Sequence, residues 1–202
     1  MKTTRFAVCG AALACLLALV ACTPSGDSAA PAREDTAQSS AAKSGSENAG
    51  SGVLSNFSTT DLDGNTIDQS ILADYDLTMV NVWATFCGPC IEEMPALGEL
   101  AAEYADKGVQ IIGLISDALD SDGAISDSQV GTAKEIVAQT DACYPHLLPS
   151  EDLYGVLSQI YAVPTTFFVD SEGAQVGEAI VTAQSKEDWI TTIDSMLAEV
   201  QG

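Results

Sequence analysis

Met79-Val80-Asn81-Val82-Trp83-Ala84-Thr85-Phe86-Cys87-Gly88-Pro89-Cys90-Ile91-Glu92-Glu93-Met94 decides the fold. The run up to Ala84 is apolar and β-branched, as a strand buried on both faces requires. The run from Ile91 favours a helix. Two cysteines spaced C-x-x-C across such a strand-to-helix turn can close a small disulfide ring. The first sulfur stands near the helix start, where free backbone N–H groups and the helix dipole favour thiolate over thiol. That chemistry suits thiol–disulfide exchange, which needs no bound cofactor.

Upstream, Lys2 and Arg5 precede an apolar stretch over 6–20, shorter than the roughly 20 residues that cross a bilayer. It ends in Leu19-Val20-Ala21-Cys22, which resembles a bacterial lipoprotein signal, with cleavage before Cys22 and lipid on its sulfur. The expected organisation is a signal peptide over 1–21, lipidated Cys22 with a Ser/Ala/Gly-rich disordered tether over 22–52, and one domain over 53–202. Of the six cysteines, Cys9 and Cys15 leave with the leader and Cys22 is consumed, so Cys87, Cys90 and Cys143 remain as thiols. The expected location is the extracytoplasmic face of the cell membrane, where disulfides persist. Seven basic residues against 29 acidic ones give a net charge of −22. A surface that acidic repels phosphate and excludes a nucleic-acid partner.

Within the domain, 56–67 reads as two short strands around an Asp63-Gly64 turn. Strands are expected over 78–84, 109–115, 165–170 and 174–180, the last two antiparallel around Ser171-Glu172-Gly173. A helix is expected from Gly88 to about Asp106, with Met94, Leu97, Ala101 and Tyr104 on one stripe and a kink at Pro95. The acidic stretch 116–130 reads as a loop insertion, 131–139 as a helix, and Ser150 as the N-cap of a helix reaching Gln159. Ser185 caps a last helix whose stripe is Trp189, Ile193, Met196, Leu197 and Val200. Strands alternating with helices, then a hairpin and a helix, give an α/β sandwich.

The order of elements, with Phe57 to Ile67, Val80 to Pro95 and Val163 to Gly173, resembles the thioredoxin superfamily, in its membrane-anchored TlpA-like or ResA-like branch. The resemblance implies a thioredoxin-like sandwich: a mixed central sheet flanked by helices, with an N-terminal strand extension and an insertion after the second core strand. It implies that Cys87 attacks and Cys90 resolves, with Gly88 and Pro89 forming the redox loop between them. It makes Pro164 a cis-proline facing the disulfide and puts Val163, Trp83 and Phe86 beside the substrate. The partners implied are protein disulfides and a membrane electron donor of the disulfide-relay type, the chain working as a monomer. The substrates implied lie in cytochrome c maturation or in repair of envelope disulfides and methionine sulfoxide.

Phe86 stands where many relatives carry tryptophan. Asn81 stands where cytosolic thioredoxins carry a buried aspartate, so proton transfer falls to solvent or another carboxylate. Glu92 and Glu93 are nearest in sequence, although both read as solvated helix residues. Cys143 matches no motif and reads as a small, partly buried residue beside the sheet. Two alternatives share these residues. A peroxidase would need Pro-x-x-x-Thr/Ser-x-x-Cys, but Val80 and Ala84 occupy the first two key positions. A metal-binding lipoprotein would use Cys87, Cys90, Cys143 and His146 as four ligands.

Overall fold

The computed structural model describes residues 52–202, so the expected leader, Cys22 and the tether up to residue 51 lie outside the described residues. The chain opens with two antiparallel strands, β1 (Ser58–Thr60) and β2 (Thr66–Asp68). Asp61 shapes the turn between them, its carboxylate accepting from the backbone of Asp63 and Asn65 and from the Asn65 side chain. The long elements follow: β3 (Leu77–Trp83), α1 (Gly88–Tyr104), β4 (Val109–Ile115), α2 (Asp127–Thr140), β5 (His146–Leu147), α3 (Tyr154–Leu157), β6 (Thr165–Asp170), β7 (Gln175–Ile180) and α4 (Lys186–Gln201).

Strands β3 to β7 form one mixed sheet in the order β5-β4-β3-β6-β7. β3 lies at its centre, parallel to β4 and antiparallel to β6, so Asn81 sits opposite both Gly113 and Thr166. All seven residues of β3 and of β4 are buried. The two-residue period of a strand sends alternate side chains to opposite faces. Leu77, Met79 and Trp83 join a core with α1, α2 and α4, which contains Met94, Leu97, Ala133, Trp189 and Ile193. Val80 and Val82 join a second core, covered by Leu54, Phe57 and Leu72 from the N-terminal segment and by Leu153. The N-terminal strands also bond to the chain at β5: Leu62 N–H donates to His146 C=O, and Leu148 N–H to Thr60 C=O. This backbone pairing occupies a sheet margin that would otherwise present open donors and acceptors.

Several boundaries differ from those expected. α1 contains Pro95, as expected, and ends at Tyr104 in a 3-10 turn, Ala105–Lys107, before Gly108 at φ 81°. α2 begins at Asp127, four residues before the expected start, because Ser126 caps it by accepting from Gln129 N–H. The insertion is correspondingly shorter and carries an antiparallel bridge between Leu119 and Ile125. Ser150 does not cap α3. Leu153 holds that position without a side-chain bond, and the helix covers only Tyr154–Leu157. Ser185 caps α4 as expected, accepting from Asp188 N–H.

Candidate active site

Cys87 is the N-cap of α1 and is bonded to Cys90, with Cα atoms 5.3 Å apart. Cys90 N–H also donates to Cys87 Sγ at 3.3 Å. Pro89 lies in the first helical turn, where the N–H it lacks has no helical partner to lose. The two sulfurs differ in access: Cys87 is 5% exposed and Cys90 0%. An incoming disulfide therefore meets Cys87 first, and Cys90 is reached only from inside.

The turn holding the pair is tied to the loop after β4. Asp117 accepts from Thr85 N–H at 3.0 Å, from Thr85 Oγ1 at 2.6 Å and from Gln129 Nε2 at 3.2 Å. Thr85, Asp117 and Gln129 were not singled out in the sequence. The readable signal was Ser126-Asp127-Ser128-Gln129, which has the spacing of a capping box and marks the start of α2. Here the Gln129 amide reaches past the cap to Asp117.

Glu93 corrects the expectation of a solvated helix residue. It lies three residues beyond Cys90 on α1 and is only 4% exposed. Oε1 accepts from Asn81 Nδ2 at 2.9 Å, and Oε2 accepts from Gln184 N–H at 3.2 Å and Trp189 Nε1 at 3.3 Å. Asn81 Nδ2 also donates to Thr166 Oγ1 at 3.0 Å. Burial pushes the Glu93 carboxyl above the ordinary carboxylate range, and the three donors only partly offset it. Glu92, its neighbour, is exposed as expected.

An open groove of about 510 Å³ runs beside the disulfide turn, lined among others by Phe86, Asp117, Leu157, Ile160, Tyr161 and Val163. Phe86 and Tyr161 stand on its rim, 78% and 86% exposed. The Val163–Pro164 bond is cis, and Val163 packs against the core that holds both sulfurs. Trp83 is a correction: it is fully buried, edge-on to His146, and has no surface for a docked chain.

Cys143 is exposed, not partly buried, and its thiol lies 3.5 Å from Asp141 Oδ1. His146 is buried, with Nε2 3.1 Å from Ala142 C=O, and burial pulls it down to about 4, so it is neutral at pH 7. Among the described residues no three His, Cys, Asp or Glu side chains group as a metal would need. The four-ligand reading fails on geometry: Cys87 and Cys90 are consumed in a disulfide and Cys143 is on the surface. The peroxidase pattern fails too, since Ala84 stands where the hydroxyl is needed and Val80 where the proline is.

The sequence model of the AhpC/TSA family matches residues 52–174. The thiol-disulfide oxidoreductase ResA of Bacillus cereus is 35% identical over 133 residues, 65% of this chain and 69% of that protein. The thiol:disulfide interchange protein DsbE of Yersinia pestis is 27% identical over 110 residues, 54% of this chain and 52% of that one. Among solved structures, a thioredoxin-family thiol:disulfide interchange protein from Chlorobium tepidum TLS superposes with a TM-score of 0.57 at 24% identity, covering 70% of this chain and 93% of that one. That likeness is one of fold.

Proposed function

The chain belongs to the AhpC/TSA family and is a thiol–disulfide oxidoreductase of the ResA and DsbE type, and from that premise we propose that it is a lipid-anchored reductant of protein disulfides on the extracytoplasmic face of the membrane. The observation that carries the reading is the asymmetry of the pair: Cys87 is 5% exposed and follows the groove-lining Phe86, while Cys90 is fully buried one helical turn from Glu93.

In the dithiol form, the Cys87 thiolate attacks one sulfur of a substrate disulfide. A mixed disulfide forms, and the displaced substrate thiolate takes a proton from solvent. Cys90 then gives its proton to Glu93 and attacks Cys87 Sγ. The second substrate thiolate leaves and the Cys87–Cys90 bond closes. The substrate has gained two electrons and the pair has lost two. A membrane electron donor of the disulfide-relay type restores the dithiol. Gly88 and Pro89 hold the loop between the sulfurs. Phe86 and Val163 line the path of the substrate chain, and Pro164 turns the backbone there. The substrates are envelope proteins with reducible disulfides, such as apocytochrome c, or the disulfide form of a methionine sulfoxide reductase. The protein acts as a monomer.

The test is a trapping experiment with the full chain. Cys87→Ser is expected to abolish reduction of insulin disulfides. Cys90→Ser is expected to accumulate mixed disulfides at Cys87, visible by mass spectrometry without reductant. Wild-type activity in Cys87→Ser would sink the reading.

A further inference from the structure

A second groove, of about 330 Å³, continues from the first past Ile160 and Tyr161, two residues that line both. Its remaining apolar walls are Val53, Phe167, Ala179 and Val181. Its polar members are two glutamines and a threonine, and no charged side chain lines it. That is unusual on a molecule with 29 acidic and seven basic residues. Among the described residues, seven large apolar side chains are exposed, and four of them, Val53, Phe86, Tyr161 and Val181, border these two grooves. Contiguous apolar surface of this kind marks a binding face, whereas scattered exposed residues do not.

The first groove reaches Phe86, the neighbour of Cys87 in the chain, so the second continues the surface at the redox turn rather than forming a separate site. We propose that the second groove is a substrate subsite: it seats an apolar or aromatic side chain of an extended, cysteine-bearing polypeptide, a short way along from the cysteine that joins Cys87. Tyr161 is then a ridge between two subsites, and its ring contacts the bound chain on both sides. An uncharged groove on an acidic surface rejects acidic side chains twice over, by desolvation and by repulsion from the surrounding carboxylates. The partner selected is a chain with apolar residues flanking its cysteine and few carboxylates.

This inference rests on the reading of Cys87 and Cys90 as the reacting pair, and the test separates the two. The full chain is given three disulfides: bis(2-hydroxyethyl) disulfide, a disulfide-linked peptide with Leu and Phe around its cysteine, and the same peptide with Ser at those positions. The wild type is expected to prefer the Leu/Phe peptide in kcat/KM. The preference, taken relative to the small disulfide, is expected to fall about tenfold in Ala179→Glu and Val181→Glu, the scale of a lost apolar subsite. Tyr161→Ser, at a largely exposed position, carries the same expectation if either glutamate variant fails to fold.

A wild type with no preference, or variants that keep it, would overturn the subsite. So would a wild-type dimer in light scattering that Val181→Glu converts to monomer, because the groove would then join two copies of the chain. A wild type that reduces none of the three disulfides would instead count against the redox reading itself.

Discussion

Glu93 carries a carboxyl in a place where few occur, buried three residues after Cys90 on α1 and held by Asn81, Gln184 and Trp189. Burial raises its affinity for a proton, which fits a group that must collect one from a thiol near neutral pH. Glu93→Gln keeps the shape and removes the acceptor. We expect kcat/KM to fall about a hundredfold near pH 7, with the deficit shrinking as pH rises towards the ordinary thiol range and solvent takes over. A variant that was slow only because it was misassembled would not recover in this way. Stability should move differently. A carboxyl whose folded value is raised contributes stability that is fully present below its ordinary value of 4.5 and is lost as pH rises through the raised one. The amide does not titrate, so the loss of stability as pH rises above 4.5 should be smaller in Glu93→Gln than in the wild type in urea unfolding. Beside it stands a pH-independent cost, because the amide offers one acceptor oxygen to the three donors that meet the carboxylate. Glu93 was half legible in the sequence. Its spacing from Cys90 and Leu97 puts it on the buried stripe of α1, but its charge argued for solvent. The indole that reconciles the two lies 96 residues further along the chain.

Among the elements, the turn between β3 and α1 depends on α2. Asp117 receives Thr85 and Gln129 together, fixing the residues just before Phe86 and Cys87 to the loop after β4. Asp117→Ala leaves the Thr85 N–H and hydroxyl without their acceptor, while the Gln129 amide keeps the backbone carbonyl of residue 117. We expect a loss of about 1–3 kcal/mol in urea unfolding, together with slower reduction of large protein disulfides as the groove wall loosens. Four of the five strands of the sheet were legible in their apolar runs, whereas β5, two residues long, was not. The start of α2 was not, because its first turn is polar and reads as loop until Ser126 is recognised as a cap. α3 is too short to show a period, and the Ser150 signal ahead of it goes unused. The surfaces beside the disulfide were the least legible part. Phe86 announced itself by position, whereas Tyr161 and Ile160 become groove walls only when the segment before β6 folds back beside the redox turn.

At the scale of the whole molecule, the acidic composition bears on the proposed anchor. On the proposed processing, loss of residues 1–21 would remove Lys2 and Arg5 and take the charge from −22 to −24, so an anionic bilayer would repel the chain and a lipid on Cys22 would have to hold it. Cys22→Ala is expected to block lipid labelling and either leave an uncleaved precursor or release the domain, as read by fractionation. Unchanged processing and membrane association would favour a spanning anchor over 6–20. The bond from Trp189 on α4 to Glu93 on α1 has an optical consequence. The chain has only two tryptophans, Trp83 and Trp189, and one of them touches the carboxyl whose protonation matters to the exchange. In Trp83→Phe the remaining indole becomes a built-in fluorescent indicator. Its emission should titrate with a midpoint above 4.5, and the titration should vanish when Glu93→Gln is added.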